Sequence, residues 1–417
     1  MTEGSQDAGG SMRTASLSSV ERAVLSAYRQ DDLVQLARTL ISVPSQIPHE
    51  AELSRVLAAH LSSLKCFDDV QLQSVVGDRA NVIARLRGTG SGPTLLLTGH
   101  LDMPPPAGAW TREPYTLGIE DGWLYGLGLS DMKAGVAAQF AAAVAIARSG
   151  YRLEGDLLVL AVVHHDVCGL GTKFFLDTWE DPIHAAINGE PTGSRLQLAH
   201  GGAWQFEIET RAPEVHISRA IDSQPDAIKR MRAILDRLEV SAFTYSDDHG
   251  IEGLPRMVIG GIDGGGSPSR TPGRCMARGD IRTVPGMTQE RLLHELRSVV
   301  ESSDPDPDRN HPASVRSLVY QRPYVSDPQW PILEAVAAAH RSVTGTGVVR
   351  TRGLPAASYV TDAADLVRMG IQTAVYGPTE WTTEPDERVR LDEIEQAARV
   401  YAIAALRFCR IAPEAGS

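Results

Sequence analysis

Acidic and histidine side chains follow three apolar segments that come one after another along the chain. His100 and Asp102 follow T-L-L-L-T-G, the pair His164 and His165 follows the next apolar run, and Glu190 follows the one after that. Segments this apolar are typical of strands buried on both faces of a sheet, and open α/β sheets bind ligands at the carboxyl ends of their strands. One such coincidence is ordinary, whereas three in succession indicate a functional site.

The residue types at these positions suit a metal centre. His100 and Asp102 point the same way on an extended chain, so Asp102 is expected to orient the imidazole of His100, as carboxylates do for metal-bound histidines. Asp131 lies where an Ala-rich helix begins, and its carboxylate either bridges two cations or only caps the helix. The pair H-x-D alone is a weak signal, because a structural hydrogen bond explains it equally well.

Strands and helices alternate around these residues. The pattern predicts an α/β fold, in which a mostly parallel sheet is covered by helices. Strands are predicted at 81–87, 94–98 and 156–163, followed by a short strand that ends near 187. Helices are predicted at 135–149 and 171–178.

The pattern changes near residue 200, where W-Q-F-E-I-E-T alternates as a half-exposed antiparallel strand does. Further strands near 256–259 and 275–282 and helices at 226–238 and 289–300 predict a small α+β domain, at 201–317. A polar linker at 303–312 ends it, and the α/β pattern then resumes through a final helix at 391–409. The catalytic domain is thus predicted to comprise 20–200 and 318–417, interrupted by the insert.

Composition limits the function further. A chain of 417 residues favours two domains, and its net charge of −12 argues against nucleic acid as a partner. No apolar run approaches the roughly 20 residues of a membrane span. Residues 1–19 are polar and predict a disordered tail without the hydrophobic segment of a signal peptide. Four scattered cysteines fit reduced thiols in a cytoplasmic protein.

Taken together, the motifs G-H-L-D, G-L-G-L-S-D-M-K, G-E-P and T-E-P-D-E resemble those of the di-zinc aminoacylase and metallopeptidase family. That family includes acetylornithine deacetylase, succinyl-diaminopimelate desuccinylase and carboxypeptidase G. The resemblance runs from about residue 23 to residue 406. It implies a zinc-dependent amide hydrolase whose inserted domain serves as a lid and forms a homodimer.

The resemblance also implies residue roles. His100, Asp131 and Glu190 are zinc ligands in it, and Asp102 is the residue that orients His100. Within the insert, V-H-I-S places His216 at a substrate contact. The segment G-D-I-R-T-V-P-G places Arg282 where the family often holds a substrate carboxylate.

Three positions depart from the family pattern. His165 and Asp166 replace the Glu-Glu pair of general base and ligand, and Thr383 replaces the last ligand histidine. His165 is therefore expected to act as an altered base or as a ligand, because imidazole titrates near neutral pH. Asp166 is expected as a shorter ligand and Thr383 as a substrate contact. One zinc ion is expected, with the second site weak or absent.

Three functions fit these residues. The first is metal-dependent hydrolysis of an N-acyl amino acid or a small peptide-like amide. The second is a scaffold turned to cyclisation, elimination or acyl transfer on an amino-acid-derived substrate, since the changes affect the hydrolytic groups. The third is a catalytically silent binding protein, which the retained metal ligands argue against.

Overall fold

The computed structural model describes residues 17–220, 226–245, 250–305, 311–353, 359–382 and 384–413. Most of the predicted tail therefore lies outside the described residues. The predicted tail extends too far along the chain, because Ser18 caps the first helix and this helix begins at Ser19. The hydroxyl of Ser18 accepts from the amide of Glu21, and the carboxylate of Glu21 accepts from the amide of Ser18. This reciprocal pair is a capping box, which fixes where the helix begins.

The predicted helices and central strands are present among the described residues, together with short and marginal strands that were not predicted. The helices are α1 (Ser19–Ala27), α2 (Gln30–Ile41), α3 (Ala51–Ser63), α4 (Ala134–Arg148), α5 (His165–Cys168), α6 (Leu170–Thr178), α7 (Ala227–Glu239), α8 (Gln289–Ser303), α9 (Pro331–Thr344), α10 (Ala363–Arg368) and α11 (Leu391–Cys409). The strands are β1 (Asp69–Val76), β2 (Arg79–Leu86), β3 (Leu95–His100), β4 (Gly118–Glu120), β5 (Trp123–Tyr125), β6 (Leu157–Val162), β7 (Ala185–Asn188), β8 (Leu196–His200), β9 (Gly202–Arg211), β10 (Arg256–Gly264), β11 (Arg274–Thr283), β12 (Ser314–Gln321), β13 (Tyr324–Val325), β14 (Arg350–Arg352), β15 (Gln372–Val375) and β16 (Arg388–Arg390).

The larger sheet has nine strands in the order β1-β2-β6-β3-β7-β15-β8-β13, with β14 paired to β8. Its central strands β6, β3, β7 and β15 run parallel, whereas β1, β2 and β13 pair antiparallel at the margins. The predicted α/β fold with its mostly parallel central sheet is thus confirmed.

Helices cover both faces of this sheet because the side chains of each strand alternate between the faces. Leu95 and Leu97 pack into the core formed with α4 and α11, whereas Leu96 packs with Phe175 of α6 and Leu366 of α10. The expectation that no apolar run approaches the length of a membrane span is wrong for Leu129–Arg148, which is long and apolar enough by length and composition. This segment is almost wholly buried among these elements. It is a core helix.

The smaller sheet has four antiparallel strands in the order β10-β11-β9-β12. Helices α7 and α8 pack on it around a second core that includes Trp204, Phe206 and Ile234. The predicted limit of the insert at residue 317 falls inside β12, whose pairing with β9 continues to Gln321. The polar stretch that precedes β12 resembles a linker at the end of a domain, and for this reason the strand was not predicted. β12 also contacts α5 beside the larger sheet.

Candidate metal centre

The three predicted segments deliver their side chains to one edge of the larger sheet. His100 ends β3, His165 opens α5 after β6, and Glu190 follows β7. β3 is parallel to both neighbours, with His100 level with Val162 and Thr98 level with Asn188. The carboxyl ends of the three strands therefore meet, as the sequence predicts.

His100, His165 and Glu190 form a compact buried cluster. One ligand atom from each lies within 4.8 Å of the other two. Oε1 of Glu190 is 3.9 Å from Nε2 of His100 and 3.9 Å from Nε2 of His165. The two imidazole rings are stacked with their centroids 4.4 Å apart. Two histidines and a glutamate are a ligand set that divalent metals such as zinc accept.

The backbone of Asp102, rather than its carboxylate, orients His100. Nδ1 of His100 donates to the carbonyl oxygen of Asp102 at 2.8 Å, which leaves Nε2 facing the cluster. The Asp102 carboxylate instead accepts from the backbone amides of His165 (3.0 Å) and Asp166 (2.9 Å). The predicted side-chain contact is wrong because β3 ends at His100, and residues two apart point the same way only while the strand continues.

The start of α5 is fixed by two buried acids. The backbone amide of His164 donates to Oε1 of Glu50 at 3.1 Å, and Asp102 holds the next two amides. His164 has φ 60°, in the left-handed region, so the chain turns sharply out of β6 at this point. These contacts hold His165 in place through its backbone. Sequence reasoning missed Glu50, which has no local motif.

Asp362 orients the ring of His165. Oδ1 of Asp362 lies 2.9 Å from Nδ1 of His165, and Oδ2 accepts from the hydroxyl of Thr172 at 2.6 Å. A carboxylate that holds one imidazole nitrogen while the other faces a metal position is the usual arrangement around metal-bound histidines. Asp362 was not predicted either. The one signal in the sequence is an acid immediately before α10, which begins at Ala363.

Asp131 lies beside the cluster with both carboxylate oxygens engaged. Oδ1 is 3.2 Å from Nε2 of His100, and Oδ2 accepts from the indole N–H of Trp381 at 2.9 Å. The turn before Asp131 is held by Glu387, whose carboxylate accepts from the backbone amides of Gly128 and Ser130. Asp131 thus borders the cluster on one side.

The other predicted site residues that the structure describes are not part of this group of ligand atoms. Asp166 contributes its backbone amide to Asp102, but its side chain is exposed and outside the group of ligand atoms. His216 is exposed and its Nδ1 is 2.9 Å from the hydroxyl of Ser218, while Arg282 pairs with Asp280 at 3.0 Å. Thr383 lies outside the described residues. The substrate contacts assigned to these side chains stay predictions.

The charges around the cluster favour an added positive charge. Burial and the neighbouring His165 oppose protonation of His100, but Asp131 and Glu190 outweigh them and raise the pKa of His100 to about 10. Burial also opposes protonation of His165, yet Asp362 and Glu190 raise its pKa well above the usual range. Burial raises the pKa of Glu190 to about 8. The neighbouring carboxylates thus favour a positive charge at the two imidazoles, which either protons or a divalent cation can supply.

Glu190 gives the clearest indication that a cation fits. Among the described residues, its buried Oε1 has no hydrogen-bond partner. A separation of 3.9 Å from each imidazole nitrogen is too long for a hydrogen bond. An unpaired buried carboxylate oxygen costs free energy, and a cation held between these three atoms would remove that cost.

Comparison with known proteins is consistent with this geometry. Residues 96–407 match the family described as peptidase family M20/M25/M40. Acetylornithine deacetylase of Proteus mirabilis (strain HI4320) is 31% identical over 289 residues, which cover 65% of this chain and 73% of that protein.

Solved structures show the same fold. The M20 family metallo-carboxypeptidase Sso-CP2 from Sulfolobus solfataricus superposes with a TM-score of 0.72 at 18% identity, over 91% of this chain and 99% of that one. The YXEP protein of Bacillus subtilis, described as a dinuclear metal-binding peptidase of the M20 family, gives a TM-score of 0.68 at 15% identity, over 91% and 98%. The resemblance that the motifs predict is confirmed, and the chain belongs to peptidase family M20/M25/M40.

Proposed function

We propose that this protein hydrolyses the amide bond of an N-acyl amino acid or a small peptide-like amide, using one zinc ion held by His100, His165 and Glu190. One observation carries the proposal: within the part of the chain that the structure describes, Oε1 of Glu190 is buried without a hydrogen-bond partner, at 3.9 Å from both imidazole nitrogens. The relative named acetylornithine deacetylase supports the substrate class, because acetylornithine is an N-acyl amino acid.

His165 is assigned as a ligand and not as the general base. Its Nδ1 is held by Asp362, and the nitrogen that remains, Nε2, faces Glu190. A ring oriented in this way presents a lone pair to a cation when Nε2 is unprotonated. Two histidines and one glutamate occur together in catalytic zinc sites that keep one position open for substrate or water.

Asp166 takes the role of proton carrier in this proposal. Its carboxylate is exposed immediately after His165 and interacts electrostatically with His100, Asp102 and His165. When bound, zinc supplies Lewis acidity, which polarises the amide carbonyl and makes water more acidic. Asp166 then accepts a proton from water and returns it to the leaving amine. Glu50 and Asp102 keep this residue in place by fixing the backbone at the start of α5.

The first experiment measures zinc binding to metal-depleted protein by calorimetry. The wild type is expected to bind zinc, and His165→Gln is expected to lose at least tenfold in affinity. His340→Gln is the matched control, since His340 is also buried but its Nδ1 lies 2.9 Å from the hydroxyl of Tyr376, outside the cluster. Equal affinities for the two variants would remove His165 from the ligand set, and no zinc binding at all would defeat the proposal.

The second experiment measures amine release from a panel of N-acyl amino acids and dipeptides by the zinc-loaded protein. Release that is lost in His165→Gln and kept in His340→Gln supports hydrolysis. Zinc binding with no release across the panel would contradict it. That outcome would favour the alternative, in which the scaffold performs cyclisation, elimination or acyl transfer.

A further inference from the structure

The side of Asp131 that faces away from His100 is occupied by Trp381. Oδ2 of Asp131 accepts the indole N–H at 2.9 Å, while Oδ1 lies 3.2 Å from Nε2 of His100. A carboxylate that bridges two cations needs one oxygen for each. Here one oxygen faces the His100 cluster and the other already has a donor.

A second cation does not fit the described residues on this side. An indole nitrogen carries a hydrogen and no available lone pair, so Trp381 is unable to act as a ligand. Asp166, the other acid expected there, lies outside the group of ligand atoms. The YXEP protein, by contrast, is described as dinuclear.

The position of Trp381 is built into the fold. The residue before it, Glu380, pairs with Thr192 in an isolated β-bridge close to Glu190. The residue after it, Thr382, is tied to Ser130: its carbonyl accepts from the Ser130 hydroxyl at 2.9 Å, and its amide donates to the same hydroxyl at 3.3 Å. Trp381 is therefore held from both sides, next to Glu190 and next to Asp131.

We infer that Trp381 takes the place of a second cation beside Asp131 and so limits the centre to one metal ion. The indole N–H donates a hydrogen bond to Oδ2 and holds the carboxylate with Oδ1 towards His100. Trp381 is thus a positioning residue, while its ring, 39% exposed, borders the site. This inference rests on the proposed zinc site, which supplies the first cation.

The test combines metal stoichiometry with the indole N–H resonances of ¹⁵N-labelled protein. Trp381→Phe identifies the resonance of Trp381. Trp110→Phe is the matched control, because the indole of Trp110 donates to the carbonyl of Ala107 at 3.1 Å, away from the cluster. Asp131→Ala in metal-free protein is expected to shift the Trp381 resonance and speed its exchange with water, leaving Trp110 unchanged. Asp131→Asn, which keeps an oxygen acceptor, is expected to shift it less.

Zinc is then added to the wild-type protein. The expected result is one equivalent bound, with the Trp381 indole N–H still protected at saturation. Two equivalents, or loss of the protected resonance on saturation, would overturn this inference and leave standing the proposed hydrolysis and the zinc site of His100, His165 and Glu190. A Trp381 resonance that stays unchanged in the Asp131→Ala variant would also overturn this inference. Absence of zinc binding would defeat the proposed function and the inference together, which is a distinct result.

Discussion

Asp362 and His165 lie 197 positions apart in the chain, yet Oδ1 of the aspartate is 2.9 Å from Nδ1 of the imidazole. The ionised form of this acid is strongly favoured: burial opposes it, but His165 and the hydroxyl of Thr172 lower the pKa of Asp362 to about 2. His165 is stacked on His100, so the orientation of one ring constrains the other. The pair thus connects α10 to the proposed zinc site.

Asp362→Asn is expected to weaken zinc binding by about 10- to 100-fold, as loss of a carboxylate behind a metal-bound histidine commonly does. The amide keeps an acceptor for Nδ1 but removes the negative charge. Calorimetric zinc titration of the metal-depleted variant measures the effect. Asp365→Asn is the control, because Asp365 lies in α10, three residues after Asp362, and pairs with Lys173 at 3.6 Å. Equal losses in both variants would show a general effect of the charge on α10.

The Asp166→Asn variant distinguishes whether the Asp166 carboxylate carries a proton or binds zinc. If Asp166 carries the proton, the variant is expected to lose about 10²- to 10⁴-fold in kcat while it still binds zinc. Asp166→Glu retains the carboxylate and is expected to recover part of the rate. Steady-state amine release and zinc calorimetry on the same preparations give both quantities. Loss of zinc affinity in Asp166→Asn would instead return Asp166 to the ligand set.

The sequence predicts the site residues at the ends of strands, but it does not predict those that come to the site from loops and helix caps. His100, His165 and Glu190 come together because parallel strands place their carboxyl ends on one edge, and burial of the strands is visible in the apolar pattern. Glu50, Asp362 and Trp381 reach the same place from loops and caps. Their positions depend on tertiary packing, which has no periodic signal.

The error over Asp102 has a local cause. The extended geometry that turns its side chain towards His100 stops where β3 stops, and the carboxylate then caps α5. Likewise, β12 was missed because its exposed face carries serine and arginine and it follows a polar stretch. Element ends and edge strands depend on hydrogen bonds to distant backbone, so the sequence constrains them least.

Glu21 is expected to make the free energy of unfolding depend on pH. Burial raises the pKa of Glu21, but hydrogen bonds from Arg407 and Ser18 outweigh it and lower the pKa in the folded protein. A group with a lowered folded pKa stabilises the protein above its unfolded pKa of about 4.3, and this contribution is lost as the pH falls through the folded value. Glu21→Gln is therefore expected to cost about 1 to 3 kcal/mol at pH 7.

The measurement is urea unfolding of the wild type and Glu21→Gln at pH 7 and at several values below pH 5. The difference between the two proteins is expected to shrink as the pH falls. Glu52→Gln on α3 is the control, because the side chain of Glu52 is exposed and its substitution is expected to change the free energy of unfolding by less than about 0.5 kcal/mol. A difference that stays constant at every pH would remove the charge of Glu21 as its cause.

Gly135→Ala is expected to damage both stability and the zinc site, because α4 packs directly on the strand end that carries Glu190. A Cβ at this position would lie 2.2 Å from the carbonyl oxygen of Gly189, which is backbone and has little room to move. Helix propensity alone would favour alanine by up to about 1 kcal/mol. Overpacking typically costs about 1 to 3 kcal/mol, so the clash is expected to outweigh this gain and to lower the free energy of unfolding.

Urea unfolding and zinc calorimetry of Gly135→Ala give the two readouts. Both the free energy of unfolding and the zinc affinity are expected to fall, since relief of the clash moves Gly189 and with it Glu190. Gly260→Ala in β10 is the control, because no atom lies within 4 Å of the added carbon and β10 belongs to the smaller sheet, whereas the proposed zinc ligands lie at one edge of the larger sheet. A destabilised Gly135→Ala that binds zinc as the wild type does would show that Glu190 is held independently of α4.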